Sequence, residues 1–323
     1  MTIRSKAAQF ARRLAGTAEL RQGMSQLEDG QHRLEHKLDT LAILAAQPRI
    51  DQIKNRGPLA QLSDAEFRVF SQFGDDGIIQ YLVHLIDPQP HTLIEFGVED
   101  YVESNTRFLL YNNHWSGLVM DGNAAGIERW KSRIDHWKHD LVAACEFVTR
   151  ENINQLFEKH GFTGRLGLLH IDVDGIDYYL WETIEVIDPI IVILEYNSLF
   201  GPHAAVTIPY DEQFERFKAH YSGLYWGTSL GAFCRLAERK NYALVGCNSA
   251  GNNAYFVKQE RLGPLAPLTS EQGYKPSLYR KSRGADGNLI YRRGPARLAE
   301  IRDLPVVNLE TGRIVRIADV CSV

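Results

Sequence analysis

The sequence has few cysteines and no long apolar run. Its four cysteines are scattered along the chain, at Cys145, Cys234, Cys247 and Cys321. No CxxC pair is present, so neither zinc-ligand spacing nor a disulfide framework is expected. No apolar run reaches the ~18 residues needed to cross a bilayer, and Arg12 and Arg13 interrupt the apolar N-terminus. We therefore expect a cytoplasmic protein without a transmembrane segment.

The chain also has little excess charge. Its 323 residues carry a net charge of −4, which argues against a dedicated nucleic-acid-binding protein. With 44% hydrophobic and 24% charged residues, it can bury a large core. Residues 275–316, by contrast, hold ten Lys or Arg against four Asp or Glu. This stretch is either a solvated surface or a region that attracts an anionic substrate, such as a nucleotide-linked or phosphorylated sugar.

Residues 1–48 show a heptad pattern. Leucine recurs every seven residues, at Leu20, Leu27, Leu34 and Leu41, and the alternate seam position holds Met24, Gln31 and Leu38. The pattern indicates either a coiled coil that joins subunits or an amphipathic helix on its own domain. We favour a homo-oligomer formed through this helix. Residues 49–70 are predicted to be a linker.

Residues 71–262 alternate strands and helices, which is typical of a parallel sheet covered on both faces. Five strands are predicted, at 93–96, 117–120, 142–147, 166–172 and 190–196. After a long connection and a helix, two more strands flank the short segment 248–252, which indicates an antiparallel hairpin. The prediction is an α/β, Rossmann-like fold with seven mostly parallel strands and an antiparallel last strand. Residues 263–323 are predicted to form a basic C-terminal extension.

The first two strands suit a nucleoside-containing cofactor. The first strand ends at Gly97, a helix-like segment covers 103–111, and the second strand delivers Asp121 at its carboxyl end. Glycine lets the backbone approach a ligand, and a carboxylate in this position can hold two ribose hydroxyls. Because only one glycine is present, this stretch alone does not distinguish dinucleotides from other nucleoside cofactors.

Five motifs occur in order along residues 71–258. They are Ser71-Gln72-Phe73-Gly74-Asp75-Asp76, Glu95-Phe96-Gly97 with Ser104-Asn105-Thr106, the strand Trp115 to Asp121, Asp172-Val173-Asp174-Gly175, and Glu195. This set resembles the FkbM-like, S-adenosylmethionine-dependent methyltransferases. The chain departs from the family pattern at Glu99 and Tyr101, and at Asp121-Gly122, where the family usually has Glu-Pro.

The resemblance implies a class I methyltransferase fold with S-adenosyl-L-methionine as cofactor. The closing hairpin favours this class over a dinucleotide-binding dehydrogenase. The resemblance implies that Asp121 holds the ribose, that Gly97 admits the cofactor and that Asn105 and Gln72 bind the methionine carboxylate or amine. Glu95 would either order the turn or bind the methionine amino group. The implied cofactor-binding residues are Gln72, Glu95, Gly97, Asn105, Asp121 and Asp172.

A second polar cluster follows strands four and five, whose ends are neighbours in a parallel sheet. Asp172, Asp174, Glu195 and Asn197 offer oxygen ligands for Mg²⁺ or another divalent cation, which would lower the pKa of an acceptor hydroxyl. The alternative is structural: Asp177 caps the next helix, while Asp172 and Glu195 only position backbone and cofactor.

Three residues are candidates for the catalytic base. Asp174 is the first choice as base or metal ligand, and Asp172 precedes it by two residues. His203 lies in the glycine- and proline-bounded loop after strand five, where an acceptor would enter. His170 is expected to be a core histidine instead.

The favoured function is an S-adenosylmethionine-dependent O-methyltransferase acting on a saccharide or glycosylated product. Tyr210, Tyr225 and Trp226 would stack on a sugar ring, or simply pack a lid. One alternative reads Asp172-Val173-Asp174 as the DxD of a metal-dependent glycosyltransferase. Another is a non-catalytic, methyltransferase-like scaffold in glycan assembly.

Overall fold

The computed structural model describes the backbone of residues 3–133 and 135–321, with side chains from residue 20 onward except residue 28. Its centre is a seven-stranded sheet of order β3-β2-β1-β4-β5-β8-β7. The strands are β1 (Thr92–Phe96), β2 (Ser116–Asp121), β3 (Leu141–Cys145), β4 (Gly164–Ile171), β5 (Ile187–Glu195), β7 (Tyr242–Cys247) and β8 (Asn253–Lys258). A further strand, β6 (Val206–Thr207), belongs to a second sheet.

Strands β1 to β5 run parallel, whereas β8 is antiparallel to both β5 and β7. This confirms the predicted Rossmann-like sheet with its antiparallel last strand. The hairpin joining β7 and β8 is also confirmed.

Helices cover both faces of the sheet, and others lie outside it. They are α1 (Ile3–Lys54), α2 (Asp75–Ile86), α3 (Arg107–Asn113), α4 (Ala124–Lys131), α5 (Ile153–Lys159), α6 (Asp177–Thr183), α7 (Arg216–Ala219), α8 (Leu230–Arg239), α9 (Ser270–Gly273), α10 (Pro295–Ile301) and α11 (Ile317–Val320). None of the helices in the described part of the chain is long and apolar enough to cross a membrane.

Alternate residues of each central strand enter two different cores, because successive side chains of a strand point to opposite faces. In β4, Leu169 and Ile171 join the core beneath α5, α6 and α8. Leu168 joins the core beneath α2, α3 and α4. Burial on both faces explains the nearly continuous apolar runs of these strands.

The first helix is longer than predicted. Helix α1 continues to Lys54, through Pro48, so the segment predicted as a linker begins inside it. Ala46, Ile50 and Ile53 are buried against the body of the protein. This packing offsets the cost of a proline in a helix, which is about 3 kcal/mol.

The C-terminal extension packs against the long connection that follows β5. Strand β6 pairs with β9 (Pro305–Asn308), and β9 pairs with β10 (Arg313–Arg316), both antiparallel. Residues from the two segments share one core, including Val206 and Leu224 from the connection and Leu298 and Ile317 from the extension. We call residues 198–228 and 277–321 together the C-terminal lobe.

Candidate functional site

A cavity of about 540 Å³ opens at the carboxyl ends of β1, β2, β4 and β5. This edge is where open α/β sheets bind ligands. The cavity brings together most of the residues predicted from the sequence, namely Gln72, Glu95, Gly97, Asn105, Asp121, Asp172, Asp174 and Glu195. Two predicted residues, Asn197 and His203, are not part of its wall.

Glu95 ends β1 as a buried carboxylate with several hydrogen-bond donors. It accepts hydrogen bonds from the hydroxyls of Ser104 and Thr106 (both 2.5 Å), from the Asn105 backbone N–H (3.1 Å) and from His170 Nδ1 (2.9 Å). Burial alone would raise the pKa of Glu95, but these bonds and the His170 charge lower it. The turn carrying Ser104 and Thr106 therefore folds around Glu95, and helix α3 begins only at Arg107, later than predicted.

His170 completes this buried network, as expected for a core histidine. Burial would lower its pKa, but the hydrogen bond and negative charge of Glu95 raise it. Asn105 Nδ2 lies 3.2 Å from His170 Nε2, so the Asn105 amide, predicted to bind the cofactor, is already held on one side by a ring nitrogen.

Gly97 is needed for a reason that the sequence did not suggest. Its φ is +73°, and a Cβ there would lie 1.6 Å from the carbonyl oxygen of Asp172. The turn after β1 thus touches the turn after β4 directly. Whether Gly97 also admits a cofactor stays a prediction.

Asp121 is fixed at the end of β2 by two backbone donors. Its Oδ2 accepts from Glu99 N–H (2.7 Å) and its Oδ1 from Asn123 N–H (2.6 Å). A carboxylate has about four acceptor sites, so capacity for two hydroxyls remains. Phe147, 61% exposed, lines the same corner, and a Cβ at Gly122 would lie 3.5 Å from its ring.

Asp172 and Glu195 place two carboxyl groups in the cavity at the ends of neighbouring strands. Burial raises the pKa of Asp172 to about 7, against the lowering effect of His170. Burial, followed by the charge of Asp172, raises the pKa of Glu195 well above its usual value. Neither carboxyl accepts a hydrogen bond from any described residue. Near neutral pH such a pair retains a proton, because two adjacent charges are costly.

Asp174, the first-choice base, is largely exposed. It has a φ of +59° and forms an ion pair with Arg216 at 2.8 Å. Asp177 accepts hydrogen bonds from the backbone N–H groups of Val173 and Gly175, both at 3.1 Å. Asp177 therefore stabilises the turn at the start of α6, in agreement with the helix-capping role considered for it from the sequence.

The predicted metal ligand Asn197 has both ends of its amide occupied. Its Nδ2 donates to the carbonyls of Leu224 (3.1 Å) and Trp226 (2.9 Å), and its Oδ1 accepts from Leu199 N–H (3.1 Å). The prediction for Asn197 is wrong because the side chain ties down the connection after β5. In the described ranges, no group of three or more His, Cys, Asp or Glu side chains is placed to hold a metal ion.

His203 was predicted as a base, but it lies outside the cavity. Its side chain is 74% exposed, and its Nδ1 contacts Glu271 at 2.9 Å. The connection after β5 turns this histidine toward α9 rather than toward the strand ends. The prediction for His203 is therefore wrong in its placement.

One cavity residue, Arg216, gave no recognisable signal in the sequence, whereas Lys281 belongs to the basic stretch 275–316. Arg216 and Lys281 reach the wall from the C-terminal lobe, and Asn253 reaches it from the start of β8. Asn253 Nδ2 donates to the buried Asp75 at 2.9 Å, and Asn248 Nδ2 donates to the same carboxylate at 3.1 Å. The Asp75 of the first motif thus anchors the closing hairpin.

The sequence matches no protein-family model and no curated protein. Solved structures with a similar chain trace include methyltransferases. One from Clostridium acetobutylicum has 9% identity, covering 52% of this chain and 83% of that one, with a TM-score of 0.32. The N-terminal domain of EvdMO1 with S-adenosylhomocysteine bound has 11% identity, coverage of 66% and 94%, and a TM-score of 0.38. An O-methyltransferase from Bacillus cereus has 11% identity, coverage of 55% and 78%, and a TM-score of 0.33.

Proposed function

We propose that the chain is an S-adenosylmethionine-dependent O-methyltransferase whose acceptor is a hydroxyl of a saccharide or glycosylated product. One observation carries the proposal. The same cavity contains Asp121 at the end of β2 and the Asp172–Glu195 pair at the ends of β4 and β5. Asp121 can accept hydrogen bonds from ribose hydroxyls, and the Asp172–Glu195 pair can accept the proton of an acceptor hydroxyl.

The residues on the β1–β2 side fit the cofactor. Asp121, with acceptor capacity left, would hold the ribose hydroxyls, and the exposed ring of Phe147 offers a face for the nucleobase. Gln72 and Asn105 lie where the methionine end would reach. When bound, S-adenosylmethionine supplies an electrophilic methyl group.

The residues on the β4–β5 side would position and deprotonate the acceptor. Asp172, with a pKa raised to about 7, is matched to general-base work near neutral pH. Burial and the charge of Asp172 raise the pKa of Glu195 well above its usual value, which favours the protonated form of Glu195. Glu195 in its protonated form would donate a hydrogen bond to an acceptor oxygen. Holding the hydroxyl in line with the methyl group supplies the rest of the rate enhancement. The proposed deprotonation relies on these carboxyl groups, because no group of three or more His, Cys, Asp or Glu side chains in the described residues is placed to hold a metal ion.

The aromatic residues expected to stack on a sugar are largely engaged elsewhere. Trp226 is buried beneath Arg216, with the guanidinium 4.5 Å from its ring centre, and the Tyr225 hydroxyl donates to the Pro305 carbonyl at 2.6 Å. Phe214, by contrast, lines the cavity. The proposal of a saccharide acceptor therefore rests on Phe214 and the polar wall.

Isothermal titration of the full chain with S-adenosylmethionine and S-adenosylhomocysteine tests the proposal. We expect one-to-one binding of both, weakened at least tenfold in Asp121→Ala and unchanged in Glu158→Gln, an exposed carboxylate on α5. Binding of a nucleoside diphosphate but of neither methyl-donor compound would favour the glycosyltransferase alternative. A folded protein that binds none of them would favour the scaffold.

We also propose that α1 joins two copies of the chain. The heptad leucines, Leu38 and Met24 are 56–75% exposed, whereas Ala46, Ile50 and Ile53, nearer the C-terminal end of α1, pack on the body. An apolar seam on a 52-residue helix suits a second copy of the same helix. The polar Gln31 within the seam would fix the register of the two helices.

A further inference from the structure

A basic segment of the C-terminal lobe reaches the cavity. Between residues 275 and 297 the sequence has one acidic residue, Asp286, among the basic residues Lys275, Arg280, Lys281, Arg283, Arg292, Arg293 and Arg297. Lys281 lines the cavity, as does Arg216 from α7. The wall on this side therefore has the opposite charge to the strand ends that carry Asp172 and Glu195.

Phe217 lies close to two of these cations. Its ring centre is 5.7 Å from Lys281 Nζ and 5.5 Å from the guanidinium carbon of Arg283, and 47% of Phe217 is exposed. The ring is seated on Gly223, where a Cβ would lie 2.5 Å from it. The Arg283 backbone N–H donates to the Ser222 carbonyl at 3.1 Å. An aromatic face flanked by cations is thus built into the lobe.

Several of the cations have no carboxylate partner. Arg216 pairs with Asp174 at 2.8 Å, and Arg292 pairs with Glu300 at 2.6 Å. Arg280, Lys281 and Arg283, in contrast, have no carboxylate within 4 Å among the residues that the structure describes. Cations left uncompensated side by side raise the local potential and attract anions.

Arg297, on α10, adds a buried charge to the C-terminal lobe. It is 6% exposed, donates to Ser277 Oγ at 2.5 Å, and its Nε has no partner among the described atoms. Its guanidinium carbon lies 5.6 Å from the ring centre of Tyr279. Burying a cation without a counter-ion is costly, so this part of the lobe is suited to receive a negative charge.

We infer that the C-terminal lobe binds a phosphate group of the acceptor, with Lys281 and Arg283 as phosphate ligands and Phe217 as a stacking face. The acceptor would then be a phosphate-bearing saccharide, and this identification rests on the proposed methyltransferase function. Lysine and arginine are the usual phosphate ligands. Because Asp172, Asp174 and Glu195 repel phosphate, the acceptor would enter in one orientation, with its hydroxyl end toward Asp172.

Titrations with three probes test the inference: glucose 1-phosphate, uridine diphosphate and uncharged glucose, each with and without S-adenosylhomocysteine. We expect both phosphate compounds to bind more tightly than glucose and to weaken as salt is raised. Lys281→Ala with Arg283→Ala should weaken both at least tenfold, whereas Phe217→Ala should weaken uridine diphosphate more strongly if its base is the stacked group. Arg313→Ala, an exposed cation on β10, is the matched control.

The inference is overturned if glucose binds as well as glucose 1-phosphate, or if Arg313→Ala weakens the phosphate compounds as much as the double substitution. Titration of the same samples with S-adenosylhomocysteine separates the two proposals. If that compound binds and the phosphate compounds do not, only the phosphate site fails. If phosphate binds and S-adenosylhomocysteine does not, the methyltransferase proposal fails.

Discussion

Gly97 and the carbonyl oxygen of Asp172 are in such close contact that a Cβ on residue 97 would lie 1.6 Å from that oxygen. Gly97 belongs to the turn beside Asp121, and Asp172 belongs to the carboxylate pair. The two halves of the cavity are therefore fixed against each other through the backbone. A shift on one side moves the other.

Gly97→Ala should be strongly destabilising. The left-handed conformation alone costs an alanine roughly 1–2 kcal/mol. The clash with the Asp172 carbonyl adds to this cost, because relieving it requires a shift of the backbone rather than of a side chain. Gly161→Ala is the matched control, since its φ is +81° but a Cβ there would meet nothing within 4 Å. Urea unfolding measures the free energy of unfolding of each variant. An equal decrease in both would contradict the clash with Asp172.

Glu95→Gln should reduce the free energy of unfolding by about 3–5 kcal/mol, because removing one partner of a buried pair leaves His170 uncompensated. The pKa of Glu95 is lowered, so its contribution is present above its unfolded value of 4.5 and lost as pH falls. The pKa of His170 is raised, so its contribution is present below its unfolded value of 6.5 and lost at higher pH.

Unfolding measured across pH should therefore show the largest difference between wild type and Glu95→Gln from about pH 5 to 6.5. A double variant that also carries His170→Phe supplies the control. If the changes in the free energy of unfolding caused by the two substitutions are additive, the two side chains are not coupled in the way the geometry implies.

Asp172→Asn should lower the pKa of Glu195, because the charge of Asp172 contributes to raising it. Carbon-13 NMR of the side-chain carboxyls measures this without an acceptor. The wild-type protein should show one carboxyl titrating at about pH 7, which the variant lacks. Asp177→Asn removes another buried carboxyl of the same turn, whose charge raises the pKa of Glu195 by less, so it should lower that pKa by a smaller amount. An unchanged Glu195 titration in Asp172→Asn would contradict the pairing.

The same pair predicts how stability changes with pH. Both carboxyls have folded-state pKa values above their unfolded values, so between about pH 4 and about pH 7 the folded state holds more protons than the unfolded state. The free energy of unfolding should fall over this range, and by less in Asp172→Asn. Urea unfolding at fixed pH steps measures the slopes.

Leu27→Lys with Leu34→Lys should dissociate the proposed dimer, since both leucines lie on the exposed seam of α1. Burial of two leucines is worth roughly 3–6 kcal/mol, so the dimer dissociation constant should rise at least a hundredfold. Gln26→Lys with Thr40→Lys adds the same charge beside the seam and should leave the dimer intact. Sedimentation velocity distinguishes monomer from dimer, and a wild-type monomer would remove the proposal.

The pattern of apolar runs in the sequence was enough to predict which strand ends line the cavity. Asp121 and Glu195 follow apolar runs that can only be buried strands, and the parallel arrangement brings such ends to one edge. Asn197 and His203 were misplaced because both lie in a connection whose course depends on distant partners. Asn197 is held by the carbonyls of Leu224 and Trp226, and His203 is turned toward Glu271.

The sequence by itself determined the alternation of strands and helices, the closing hairpin and the carboxylates at the strand ends, because these follow from periodicity and chain order. Only the tertiary structure decided that the basic C-terminal extension joins the connection after β5 and carries Lys281 to the cavity. It also decided that Gly97 is required by Asp172. Contacts between residues so far apart in the chain depend on packing, which no local pattern records.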